Sequence, residues 1–108
     1  MILDEFRDSI AIYDEMLGEG SRDPLDMLNI VDKRLADISN HIAVCHRVLA
    51  EQRGLAQSAF LGGTRKRHLD KAEQAGQALE QVIAIQSDLF DFRHKVLRRV
   101  AEFMRSPA

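Results

Sequence analysis

Three groups of side chains have the types and spacing that could do chemistry. His41, Cys45 and His46 lie close together. On a helix, His41 and Cys45 fall one turn apart on one face, as a pair of zinc ligands can, with Glu80 the acid expected opposite them. A tetrahedral site needs a third and a fourth ligand, and no spacing specifies them. Cys45 therefore reads as a core position flanked by histidines, and neither a metal site nor a cofactor is expected. Asp91-Phe92-Arg93-His94 imitates half of the Glu-x-x-His pattern of di-iron bundles, but the second half is missing and the acid is one carbon short. It reads as a surface Asp and His.

The third group is basic. Arg65, Lys66, Arg67 and His68, with Arg53 and Lys71 nearby, form a cationic cluster. Positive charge at a helix N-terminus opposes the dipole, so the cluster is not expected to serve helix stability. Its chemistry suits phosphate, an acidic lipid surface or an acidic partner. No aromatic residues interleave with it, which argues against base stacking on single strands. The chain has no Ser/His/Asp elbow, no glycine-rich phosphate loop and no acid pair in a pocket-forming setting. It reads as a protein that is not an enzyme.

The elements that must position these groups are helical. The 108 residues carry only two prolines and six glycines, with 45% apolar and 30% charged side chains, a mix suited to amphipathic helices in a single domain. No apolar run is long enough to cross a bilayer. No cleavable leader is visible at the start, and Cys45 is the lone cysteine, so a cytoplasmic home is expected. Net charge is −2 but unevenly placed. Residues 1–26 carry eight acids against two bases, and residues 27–108 nine acids against thirteen bases. The acidic first segment is thus suited to dock on the basic remainder or on a basic partner.

A first helix is predicted over 3–17, where Leu3, Phe6, Ile10, Tyr13 and Leu17 share one face. It should end at Gly18, with residues 18–22 as a link. Asp23 is a good N-cap and Pro24 suits the first position of a second helix, over 24–60. There Leu28, Val31, Leu35, Ile38, Ile42, Cys45, Leu49, Gln52, Ala56 and Ala59 alternate at three and four. The hinge is placed at 61–64, with Gly62 and Gly63 in left-handed conformation closing the second helix and Thr64 capping the third. The third helix is predicted over 65–104. Its main stripe runs through Leu69, Ala72, Gly76, Leu79, Ile83, Gln86, Phe90, Arg93, Leu97, Val100 and Met104, and an adjacent stripe through Val82, Leu89, Val96 and Phe103. The polar Gln86 and Arg93 in the main stripe suggest register setting or a wet edge.

The fold class is therefore all-α: a long antiparallel, coiled-coil-like hairpin plus a short N-terminal helix, completed as a three-helix or a dimeric bundle. Opposed positions should sum to about 125, setting Ile42 near Ile83 and Leu35 near Phe90. Small residues should face one another near the hinge. The acids of the first helix are expected to meet Arg98, Arg99 and Arg105.

The stretch from Phe92 to Arg105 resembles the C-terminal helix of the FliE flagellar basal-body family, which ends in Val-Arg-Asn-Lys-Leu-Val, an Ala-Tyr pair and Glu-Ile-Met-Arg. Arg93, Lys95, Glu102, Met104 and Arg105 match in phase, while His94 replaces Asn and Val100 replaces Tyr. The overall plan is similar in size to the helical-hairpin chaperones of flagellar and type III export. These resemblances imply a small adaptor or chaperone and supply no site residues. The apolar stripes are too wide for two helices alone. A partner helix or a second copy, as homodimer or higher oligomer, is expected on Leu35, Ile38, Ile42, Leu49, Ile83, Phe90 and Leu97. The alternative is a nucleic-acid or acidic-surface binder that uses the tip Arg65, Lys66 and Arg67.

Overall fold

The structure is a computed structural model that describes residues 2–20 and 23–105. Three helices, α1 (Ile2–Glu19), α2 (Pro24–Ser58) and α3 (Gly62–Arg105), account for nearly all of them, and there is no strand among the described residues. The architecture is a helical hairpin of α2 and α3 with a short N-terminal helix.

Local chemistry sets each boundary. In α1, Asp4 and Glu5 occupy the first turn, where the dipole favours acids. The helix runs past Gly18 and stops at Glu19. Gly20 then takes φ +68°, and its N–H donates to the Leu17 carbonyl at 3.3 Å. The helix thus ends one residue later than expected, and Gly20 closes it in left-handed conformation. The α2 start follows the expectation. Asp23 Oδ1 accepts from the Leu25 N–H at 2.9 Å, its carbonyl accepts from the Met27 N–H at 3.0 Å, and Pro24 fills the first helical position.

The hinge departs from the expectation. α2 ends at Ser58, the non-helical link is residues 59–61, and Gly62 and Gly63 open α3 instead of closing α2. Neither glycine has a left-handed backbone. The first intrahelical acceptor is the Leu61 carbonyl, which takes the Arg65 N–H at 3.0 Å, so Thr64 lies inside the first turn and is not the cap. The last carbonyls of α2 are met by side chains. Ser58 Oγ donates to Gly54 and Leu55, and Arg65 Nε donates to Ala56 at 3.1 Å.

The chain divides into two compact units: residues to Asp37 together with Ala84 onward, and Ile38–Ile83. In the first, three helices enclose a core. Phe6 and Leu17 come from α1, Met27, Val31 and Leu35 from α2, and Ile85, Leu89, Phe92 and Val96 from α3. The polar pair Asp32–Arg93, 2.7 Å apart, sums to the predicted 125 and marks the antiparallel register here. In the second unit two helices supply only Ile38, Ala56, Ala72 and Val82 as buried apolar side chains. Buried alanines toward the hinge agree with the small-residue expectation.

From Val82 onward the buried face of α3 is not the main stripe read from the sequence, although Ala72 of that stripe is buried nearer the hinge. Val82, Ile85, Leu89, Phe92 and Val96 are buried at spacings of three and four, while Ile83 and Phe90 are nearly half exposed. The physical reason is polarity. A seam on 83, 86, 90, 93 and 97 would take Gln86 and Arg93 out of water, whereas the observed seam is apolar at every position. Arg93 is left at the edge, where Asp32 reaches it.

Candidate functional site

Two features of the Ile38–Ile83 unit stand out: apolar helix faces with nothing over them, and a cationic hinge. The faces follow from the thin core just described. Val44, Leu55, Leu69 and Ile83 are each close to half exposed. An open groove runs between the helices, with Leu49, Leu69, Ala72 and Gly76 in it and Arg53, Glu73 and Glu80 among its polar lining. Val44 and Leu55 sit one residue before the seam positions Cys45 and Ala56. Leu69 lies in the groove, and the helical period puts Ile83, seven positions after Gly76, on the same side of α3.

The expected partner-binding residues separate by burial. Leu35 and Ile38 face inward and are used by the chain's own packing, so they offer no docking surface. Ile42, Leu49 and Leu97 are half-buried. Ile83 and Phe90 are open to water, because the α3 seam lies one position over.

At the hinge, Phe60 is fully exposed and Leu61 is 72% exposed. Directly after them come Arg65, Lys66 and Arg67, all exposed. Arg65 is partly committed, since its Nε–H holds the Ala56 carbonyl. That bond corrects the expectation that the whole cluster is unrelated to helix stability: a cation of α3 satisfies the C-terminal end of α2, where positive charge is favourable. His68 Nδ1 lies 2.7 Å from Gln52 Oε1 and ties the helices one turn further on. Lys66 and Arg67 make no ion pair among the described residues.

The remaining candidates lie elsewhere on the helices. Cys45 is a half-buried free thiol, and no group of three His, Cys, Asp or Glu could hold a metal among the described residues. Asp91 and His94 are both exposed. The acids of α1 engage α3 at different residues from those expected. Asp14 pairs with Lys95, in a groove that Arg7, Asp88, Asp91 and Arg98 also line. Arg99 pairs instead with Glu102 of its own helix at 3.5 Å.

No family model, curated protein or solved structure matches the chain.

Sequence reasoning missed Arg34. Its guanidinium lies 5.6 Å from the Phe6 ring centroid, and its Nε donates to the Tyr13 hydroxyl at 3.3 Å. That bond, aided by the Asp37 and Glu5 carboxylates against slight desolvation, raises the Arg34 pKa above its ordinary value. Arg34 thus joins α2 to two α1 residues already on the predicted apolar face. The available signal was its position, one residue before Leu35 on the rim of the seam. It also missed the exposure of Phe60 and Leu61, which it placed only as a break in the helix. What the Ile38–Ile83 unit offers chemically is exposed apolar surface and positive charge.

Proposed function

We propose that the chain is a small helical adaptor or chaperone that acts by binding a partner helix against the Ile38–Ile83 hairpin. One observation carries the reading. In that unit four apolar side chains are buried, two of them alanines, while Val44, Leu55, Leu69 and Ile83 stay close to half exposed. Leu69 and Ile83 lie on the groove side and Val44 and Leu55 on the other side of the α2 seam, and a third helix laid on the groove side adds a further layer there. Leu49 in the groove, with Ile42 and Ile83, is the natural receiving set. Phe90 and Leu97 offer a comparable strip on the other unit.

A cytoplasmic site of action and a flagellar or type III export setting belong to this proposal. They rest on the lone cysteine and on the in-phase residues Arg93, Lys95, Glu102, Met104 and Arg105. No helix of the described residues is long and apolar enough to cross a membrane.

Light scattering over a dilution series, with an apolar dye as a second readout, tests the binding surface. Association or dye binding that disappears in the double variant Leu69→Glu, Ile83→Glu supports it, and self-association would make the partner helix a second copy. A strict monomer at high concentration with no dye binding would sink the idea.

A further inference from the structure

We propose that the turn between α2 and α3 docks on an anionic lipid bilayer, with Phe60 and Leu61 entering the interface and the surrounding cations meeting the lipid phosphates. This surface is separate from the helix faces above, and the inference does not depend on them.

The first observation is apolar. Turns are built from Gly, Pro, Asn, Asp and Ser because the chain there meets water. This one is Ala59-Phe60-Leu61. Phe60 is fully exposed and Leu61 72% exposed, so neither side chain does anything for the chain's own core. Isolated exposed apolar residues are common. Two consecutive large ones at the apex of a helical hairpin are a wedge.

The second observation is charge, and it is independent of the first. From Gln52 to Leu69 the sequence contains Arg53, Arg65, Lys66 and Arg67 and no acid. Asp70 and Lys71 follow and cancel in net charge. Lys66 and Arg67 stand exposed in the opening turns of α3, where the dipole disfavours them, and no ion pair among the described residues explains them. Arg65 accounts for itself through Ala56; its two neighbours do not.

Together these match the interfacial mode of membrane binding, in which apolar side chains sit at the acyl boundary and Lys and Arg extend to the phosphate level. A single-stranded nucleic acid would want several aromatic platforms along a groove, and the tip has one aromatic beside a leucine. Each cation near an anionic membrane surface strengthens binding about fivefold at low salt, and the wedge adds an ionic-strength-independent part. Neither alone anchors a protein, so the docking is reversible.

The test uses the full chain, diluted to limit self-association, with vesicles of phosphatidylcholine alone or of equal parts phosphatidylcholine and phosphatidylserine. The chain contains no tryptophan, so Phe60→Trp places a unique fluorophore at the apex. The expected result is sedimentation with anionic vesicles only, weakening as salt is raised, and a blue shift of the indole emission of the Phe60→Trp variant on those vesicles. The variant Lys66→Glu, Arg67→Glu changes four unit charges and should lose at least about 100-fold in binding. The variant Phe60→Ser, Leu61→Ser alters only exposed side chains. It should keep its helical circular dichroism, lose roughly tenfold or more in binding, and retain the salt dependence of what remains. Three results would each overturn the proposal: no binding to anionic vesicles, equal binding to neutral ones, or binding unchanged by the serine variant. Salt-dependent capture of an oligonucleotide without any vesicle binding would reassign the tip to nucleic acid and also overturn it.

Discussion

Ile83 and Ile85 are two positions apart on one helix and carry the same side chain, yet the structure gives them opposite surroundings. Ile85 is 0% exposed and Ile83 is 46% exposed. Replacing either by Ala removes three carbons. At Ile85 all of that surface returns to water or to a void: about 2.4 kcal/mol at ~0.8 kcal/mol per carbon, plus a cavity contribution of order 1 kcal/mol. Better helix propensity of Ala gives back a few tenths of a kcal/mol. The net expectation for Ile85→Ala is a loss of about 3 kcal/mol, on the order of 15 °C in Tm for a chain of this length. At Ile83 roughly half of the side chain already meets water, no enclosed cavity forms, and the propensity gain is the same, so Ile83→Ala should cost under about 1 kcal/mol. Urea unfolding followed by circular dichroism measures both, at concentrations low enough to hold the chain monomeric, since a partner over Ile83 would add burial there. Equal losses at the two positions, or a larger one at Ile83, would refute the assigned face of α3. The seam would then be the polar-containing one.

Two smaller perturbations probe the junctions. Arg34→Met removes the contact over Phe6 and the hydrogen bond to Tyr13, at a cost of about 1–2 kcal/mol, and should raise amide hydrogen exchange selectively in α1; unchanged α1 protection would mean that Arg34 does not hold this helix. Gly63→Ala should stabilise by roughly 0.5–1 kcal/mol, because Gly63 is helical and an added Cβ meets nothing within 4 Å; a destabilisation of similar size would restore it to the left-handed closing role.

The helices themselves were legible because their periodicity and their caps agree. Asp23 and Pro24 locate the α2 start to the residue, and Phe6 and Leu17 of the α1 stripe are buried as its spacing implies. The phase of α3 was harder because its sequence offers two overlapping three-four alternations. The one chosen first is longer, but it contains Gln86 and Arg93. Weighting each position by the cost of burying it, rather than counting matches, selects 82, 85, 89, 92 and 96. The hinge was misread for a related reason. Two glycines beside a threonine are a strong closing signal, but Ser58 and Arg65 already satisfy the last α2 carbonyls, so no left-handed glycine is required there. Side-chain bonds between residues distant in sequence, such as Arg34 to Tyr13, leave no periodic trace.

The distribution of the core bears on where the proposed partner helix would lie. The three-helix unit buries Met27, Val31, Ile85, Leu89 and Val96 almost completely. Each such side chain contributes about 1.5–3 kcal/mol by leaving water. The hairpin unit has Ala56 and Ala72 where the other has large side chains. Alanines let two helices approach closely, yet each removes little apolar area from water. In the same unit Val44, Leu55, Leu69 and Ile83 stay close to half exposed. An additional helix laid against such a face would cover part of that area, which is why the proposed partner helix is assigned to the Ile38–Ile83 unit and not to the better-packed one.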